Sequence, residues 1–314
     1  MSKRILTITQ AIIQKRAAAL LKPRPRDSHK GMFGTVVVIG GAPGMVGAAL
    51  LAGRAALKLG AGCVHVGLLA DDAPIVDVVQ PELMLHRTHE ALNIIGKYPL
   101  PNPSPQGRRA ALPSPLGGGI EGGGNVLAIG CGLGTSITAQ KLVHDALGLD
   151  SALVLDADAL NLIALHPDLQ DALRARKAAA AITPHPAEAA RLLGISTAEV
   201  QAARSEAAQR LAKKLHCSVV LKGAHSVCVT RDDKVYLNQT GNPGMSAPGM
   251  GDALTGMIAA FIAQGLDADS ALLLGVHLHG AAGDALAQQG VAVGMTATEL
   301  IEWARWLINQ WQSR

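Results

Sequence analysis

From Thr35 onward the chain alternates short apolar runs with stretches whose apolar residues recur at helical spacing. The runs Thr35–Ile39, Cys63–Leu68, Val126–Ile129, Ala152–Leu155, Ala180–Thr183 and Ser218–Leu221 are nearly free of charged side chains. Strands covered on both faces read this way, whereas half-exposed strands alternate apolar and polar residues. Helical patterns separate most of them, for example Ala48–Leu59 and Ala187–Leu193. This alternation predicts an α/β fold, with right-handed crossovers and a mostly parallel central sheet carrying helices on both faces. Val227–Thr230 and Lys234–Leu237, joined by Arg231-Asp232-Asp233, predict a late β-hairpin. Ahead of the rhythm, a helix is expected over Thr9–Leu21, followed by a Pro/Arg hinge at Lys22–Arg26.

Two segments depart from the rhythm. Tyr98–Asn125 is dense in proline and glycine and lacks apolar periodicity, so a mobile surface loop is expected there. The sheet resumes at Val126, so this is a loop within one domain spanning 1–314 and not a boundary. Near the end, Thr296-Ala-Thr-Glu299 has capping-box form and opens a helix with Leu300, Trp303, Leu307 and Trp311 on one face. All three tryptophans fall in it, which predicts docking onto the core or onto a neighbouring subunit.

Composition narrows the picture. Apolar residues make up 49% of the 314 residues but aromatics only 2%, so the core must be built of Ala, Val, Leu and Ile. A net charge of +4 without a dense Lys/Arg tract fits an enzyme of anionic metabolites and argues against nucleic acid. Cys63, Cys131, Cys217 and Cys228 lack metal-type spacing, so reduced thiols and a cytoplasmic location are expected. Met32–Gly53 is uncharged and long enough for a membrane span, but Gly40, Gly41, Pro43, Gly44 and Gly47 break it into strand, loop and helix.

Candidate chemistry concentrates in Gly241–Gly256, where a glycine-rich turn ends at Gly251-Asp252 and an apolar run follows. Free N–H groups at such a junction are a ready site for phosphate, and Asp252 would stand beside it. The alternative is that Asp252 merely caps the helix, a role aspartate favours. Gly41-Ala-Pro-Gly44-Met-Val-Gly47 meets neither the dinucleotide fingerprint nor the P-loop, and Asp71 imitates a ribose-binding acid only by position. Gly130-Cys-Gly-Leu-Gly134 ends a strand and is either a binding turn or simply a tight one. Asp156 and Asp158 end another; a turn starting there would separate them. The prolines flanking His185 in Thr183–Glu188 exclude helix locally and present the imidazole in a fixed direction. His277 and His279, two apart on a helix, diverge and receive no role. Lys222-Gly-Ala-His-Ser226 is either a nucleotide contact or a charged hairpin entrance.

In order along the chain stand His29–Gly34, Gly40–Ala48, Pro81–Met84, Gly130–Gly134, Asp156–Asn161, Thr183–Glu188, Lys222–Ala224 and Gly241–Gly256. Together they resemble the ADP-dependent NAD(P)H-hydrate dehydratase family of the ribokinase-like superfamily, over about residues 9–300. The resemblance implies substrate-binding roles for Ala48, for the Gly132/Gly134 turn, for His185 and for Asp252, the last also catalytic. It implies nucleotide contacts from Lys222, Gly223, Ala224, His225, Ser226 and Gly251. It further implies Mg²⁺, ADP as phosphoryl donor, the S-hydrates NADHX and NADPHX as substrates, a homo-oligomer (tetrameric in the family), and a separate epimerase acting upstream. No metal-ligating residue is assigned. The sequence departs from the family where Cys131 replaces a frequent proline, where Ala247 replaces a frequent hydroxyl residue, and in the length of Tyr98–Asn125.

The implied chemistry is coherent. Hydroxide leaves badly because water has a pKa of about 15.7. A phosphoryl group taken from ADP converts that oxygen into a leaving group whose second pKa is about 6. Asp252 would take or orient the hydroxyl proton, and the Gly249–Gly251 amides, helped by Mg²⁺, would face the transferring group. The rivals are a ribokinase-like small-molecule kinase, which shares the Gly-Asp loop, and a catalytically dead nucleotide-binding regulator.

Overall fold

Val36 and Val38 are buried in one apolar cluster and Val37 and Ile39 in another. Alternate residues of the same strand thus serve both faces of the sheet, which explains why the run carries no polar position. The computed structural model describes residues 5–97, 112–113, 119–120 and 123–312. Along the chain the elements are β1 (Ile5–Thr7), α1 (Gln10–Arg16), β2 (Thr35–Gly40), α2 (Val46–Lys58), β3 (Cys63–Leu68), β4 (Met84–Arg87) and α3 (Thr88–Lys97). Then come β5 (Leu112–Pro113), β6 (Gly119–Ile120), β7 (Asn125–Ile129), α4 (Ile137–Leu147), β8 (Ala152–Leu155), α5 (Ala157–Leu165) and α6 (Pro167–Ala175). The chain continues with β9 (Ala180–Ile182), α7 (Pro186–Leu193), α8 (Thr197–Ala202), α9 (Arg204–Leu215), β10 (Ser218–Leu221), β11 (Val227–Val229) and β12 (Val235–Leu237). Three helices close it, α10 (Met250–Ala263), α11 (Ala268–Gln288) and α12 (Ala297–Gln312).

The main sheet has ten strands in the order β1-β12-β11-β10-β9-β8-β7-β2-β3-β4. Only β11 runs against its neighbours, which makes β11–β12 the expected hairpin. Helices α2, α10, α11 and α12 pack on one face and α3 to α9 on the other. This is the expected α/β architecture, a mostly parallel sheet with helices on both faces. Helix α10 lies against α2 at Gly256, where a Cβ would come 2.0 Å from the carbonyl oxygen of Ala52. The two helices therefore touch backbone to backbone.

Several boundaries differ from expectation. Helix α1 starts after Thr9, whose hydroxyl accepts from the Ile12 N–H, and stops at Arg16, short of Leu21. Strand β9 ends at Ile182, and Thr183 is a buried residue beyond it whose N–H donates to the Leu155 carbonyl. Strands β1 and β4 were not anticipated; both are sheet-edge strands with partly exposed side chains. Of the Tyr98–Asn125 segment, Asn125 belongs to β7, and β5 and β6 form a two-stranded antiparallel pair. Its expected mobility otherwise falls on residues outside those described. Met32–Gly53 holds β2, a turn and the start of α2, and no helix among the described residues is long and apolar enough to cross a membrane.

In α12, Thr296 and Glu299 form the expected capping box. Leu300 is fully buried, and Trp303, Leu307 and Trp311 pack against the core. Trp306 is half exposed on another face. All four cysteines are free; Cys131, Cys217 and Cys228 are buried and Cys63 is partly so.

Candidate active site

Strand order reverses between β2 and β7: β3 and β4 continue to one side, β8 to β10 to the other. A crevice opens outside the carboxyl ends of strands at such a point. Here the two bordering loops are stitched together. The Gly41 N–H donates to the Cys131 carbonyl at 3.1 Å and the Ala42 N–H to the Gly132 carbonyl at 2.7 Å. Gly132 has φ +59°, and a Cβ on it would lie 2.6 Å from the Met45 carbonyl oxygen and 3.1 Å from the Ala48 Cβ. No other residue fits there. Ala48 and Gly132 therefore meet, and Gly134 is held alongside by donating its N–H to Asp158 Oδ2 at 2.8 Å.

The glycine-rich loop before α10 ends at Gly249, whose φ of +85° turns the chain into the helix. Gly249 is the N-cap, so Asp252 is the third helical residue and does not cap. The first-turn N–H groups have no partner within the helix, and they carry the positive end of its dipole. Ligand atoms of Asp252, Cys131 and Asp156 all lie within 4.8 Å of one another. Burial pushes the Asp252 carboxyl up to about 6; the neighbouring Asp156 charge adds to this, while the nearby Cys131 thiol and the Lys222 charge oppose it.

Asp156 ends β8 and is 1% exposed. It differs from its neighbour as the turn argument required: Ala157 at φ +47° turns the chain, so Asp156 points inward and Asp158 toward Gly134. Lys222 Nζ donates to Asp156 Oδ1 at 2.7 Å and Thr255 Oγ1 to Oδ2 at 3.0 Å. Burial raises the Asp156 pKa, but the Lys222 charge and the hydrogen bonds outweigh it, so the carboxyl stays below its ordinary value. Lys222 is raised, because attraction to Asp156 and Glu188 overcomes its own desolvation.

A cavity of about 540 Å³ lies next to this pair. Lys222, Gly223, Ala224, His225 and Ser226 form one wall and Gly251 lies at the helix end of it. His279 of α11 lines it too, with Nε2 2.9 Å from the Met250 carbonyl. Burial holds His279 down to about 4, so the ring is neutral and donates, fixing the start of α10. His279 was assigned no role from sequence, and its contact lies 29 residues back along the chain, beyond any local pattern.

His185 follows β9 at the same edge of the sheet. Pro186 is the first residue of α7, so the prolines do not exclude helix; they place His185 as its N-cap. Its Nδ1 accepts from the Ala187 N–H at 3.1 Å, and Nε2 lies 3.1 Å from Glu188 Oε1. Both ring nitrogens are spent within α7, which leaves only the half-exposed ring face open. Its described contacts do not include Asp252. Asp71 is fully exposed and pairs with Arg87 at 3.2 Å, so it forms no ribose site.

The cluster is a poor cage for magnesium. Asp156 is already engaged by Lys222 and Thr255, and burial pushes the Cys131 thiol well up, leaving it protonated. Magnesium takes oxygen ligands in near-octahedral array and commonly rides on substrate phosphates.

The sequence pattern of the NAD(P)H-hydrate dehydratase family matches residues 36–305. The chain is 38% identical over 295 residues to the ADP-dependent (S)-NAD(P)H-hydrate dehydratase of Neisseria meningitidis, covering 93% of this chain and 90% of that one. It is 38% identical over 305 residues to the bifunctional NAD(P)H-hydrate repair enzyme Nnr of Coxiella burnetii, covering 97% of this chain but 56% of that one. Its fold superposes with a TM-score of 0.78 on the Bacillus subtilis ADP/ATP-dependent NAD(P)H-hydrate dehydratase co-crystallized with ATP and Mg²⁺, at 28% identity, over 99% of this chain and 100% of that one. With the family pattern spanning most of the chain and the carboxylate, glycine turns and cavity assembled on one sheet edge, the chain belongs to the NAD(P)H-hydrate dehydratase family.

Proposed function

We propose that this chain dehydrates the S-epimer of NADH or NADPH hydrate, using ADP as phosphoryl donor and releasing AMP and phosphate. The observation that carries the reading is the position of Asp252. Its carboxyl lies within 4.8 Å of ligand atoms of Cys131, in the turn bordering the crevice, and of Asp156, the partner of Lys222 in the cavity wall, and burial brings its pKa to about 6. A base poised near neutral pH is suited to accept a hydroxyl proton.

In this scheme the hydrate's nicotinamide end enters the crevice bordered by Ala48, Gly132 and Gly134, with the His185 ring face as a further contact. ADP occupies the cavity walled by Lys222 to Ser226, its β-phosphate against the first-turn amides around Gly251. Asp252 takes the proton from the hydrate hydroxyl while that oxygen bonds to the β-phosphorus and the bond to AMP breaks. The ring nitrogen lone pair then expels phosphate, and loss of a proton from the adjacent carbon restores the dihydronicotinamide. Magnesium, when bound, neutralises phosphate charge and is carried by the nucleotide and water; the chain needs no carboxylate cage for it. The S-epimer would be supplied by an epimerase acting on the same hydrate, and assembly as a homo-oligomer belongs to the same reading.

The test is to mix the protein with NADHX, Mg²⁺ and either ADP or ATP and to follow NADH absorbance together with phosphate. Phosphate release in step with NADH and a preference for ADP are expected. A stable phosphorylated product would turn the reading toward a kinase, and equal or better rates with ATP would overturn the ADP assignment.

A further inference from the structure

One residue beside the proposed base is one that the sequence singles out only as a departure. Cys131 follows β7 and is 0% exposed. Its backbone is pinned on both sides. Gly130 sits at φ +126° with no room for a Cβ against the Asp156 carbonyl, and the Cys131 carbonyl accepts from Gly41. From this fixed backbone the side chain reaches toward Asp252 and Asp156, whose ligand atoms lie within 4.8 Å of Sγ. Each Asp156 oxygen already takes a donor, Lys222 on one and Thr255 on the other, whereas no described side-chain hydrogen bond occupies Asp252, which makes Asp252 the better acceptor for the thiol.

We infer that Cys131 is a positioning residue: its S–H donates to one carboxylate oxygen of Asp252 and so turns the other toward the substrate hydroxyl. This rests on Asp252 being the base. The thiol acts as a donor and not as a nucleophile or redox group, because burial and the adjacent Asp252 and Asp156 charges hold it protonated. Four groups face Asp252: Cys131 from the β7–α4 turn, Asp156 and Asp158 from the β8–α5 turn, and Lys222 from the end of β10. Among them the two carboxylates push its proton affinity up, while the thiol and the ammonium pull it down. Removing the thiol therefore has a defined sign. Without the donor the Asp252 carboxylate is less stabilised and holds its proton to higher pH; with a hydroxyl in its place it releases the proton at lower pH.

The experiment is a titration of the Asp252 carboxyl by carbon-13 NMR in the full chain without substrate, for wild type, Cys131→Ala and Cys131→Ser. The kcat–pH profile of each is recorded beside it. Cys131→Ala should raise the Asp252 midpoint by up to about one pH unit, and Cys131→Ser should lower it measurably. The acid limb of kcat should move by the same amount in the same direction, with ADP affinity unchanged. If Cys131→Ala proves too unstable, the Cys131→Ser titration and the shift of the thiol S–H infrared band on Asp252→Asn decide. An Asp252 midpoint indifferent to both substitutions, or an S–H band indifferent to Asp252→Asn, overturns the inference. A wild-type protein that titrates as described yet does not dehydrate the hydrate would instead overturn the proposed function.

Discussion

Lys222 Nζ stands 2.7 Å from Asp156 Oδ1, and the two residues, 66 apart in sequence, close the ends of β10 and β8 over the floor of the site. Both are largely removed from water, so neither charge is tolerable without the other. Asp156→Asn or Lys222→Met alone should cost about 3–5 kcal/mol of stability, whereas the double replacement should recover much of it. Denaturant unfolding of the three variants checks this. Single variants as stable as wild type would show that the pair is not coupled.

Asp252→Asn should separate activity from stability. Asp252 is the third residue of α10 and caps nothing, so the fold does not depend on its carboxylate. Turnover should fall about 10²–10⁴-fold if it serves as the base. Because its folded pKa of about 6 lies above the ordinary 3.8, the native state binds the proton more tightly than the unfolded chain does. Wild type therefore loses stability as pH rises from 3.8 to 6, and the loss is complete above that. The variant should be more stable by about 1–3 kcal/mol at pH 8, with the gap closing at low pH. Thermal unfolding across pH reads the difference directly.

His185 can be divided into its cap and its ring. His185→Ala removes the N-cap of α7 and should cost about 0.5–2 kcal/mol, which His185→Asn should largely restore. If the ring face contacts the hydrate, both variants should raise KM for it similarly despite their different stabilities. An asparagine variant with normal KM would leave His185 as a cap only.

Gly251→Ala places a methyl 3.1 Å from Lys222 Nζ and 3.4 Å from Asp156 Oδ2. The ammonium cannot swing away without abandoning Asp156. Overpacking of this kind costs about 1–3 kcal/mol, so ADP should bind on the order of tenfold more weakly. Calorimetric titration with ADP measures it, and unchanged affinity would show that Gly251 is not at the phosphate.

The apolar strands were legible because burial on both faces leaves no polar position in Val36–Ile39 or Leu153–Leu155. Strand β4, Met-Leu-His-Arg, escaped notice because an edge strand facing water keeps its polar residues. The glycine-rich loop entering α10 marks Asp252 as a candidate in the sequence. Its position within the helix did not show, since Gly249 as N-cap is set by a backbone φ and by no side chain. Asp156, Lys222 and Thr255 stand in three separate segments, 66 and 99 residues apart along their hydrogen bonds, and no local periodicity links them. The role of Pro186 was misjudged for a related reason. Proline forbids the interior of a helix but suits its first residue, and only the described Pro186–Leu193 helix tells which applies.

The backbone contact at Gly256 has a consequence for how the molecule breathes. Gly256 lies one turn beyond Asp252, and Ala52 one turn beyond Ala48. Asp252 and the crevice wall thus hang from a single weld, each only four residues from it. With the Gly256 Cα set against the Ala52 carbonyl, the two helices have no soft side chain between them at that point. They are braced as one splint, while His225 and His185 are exposed. A single methyl at position 256 would wedge the splint apart and disturb both halves of the chemistry, though that methyl would lie a full helical turn away from either.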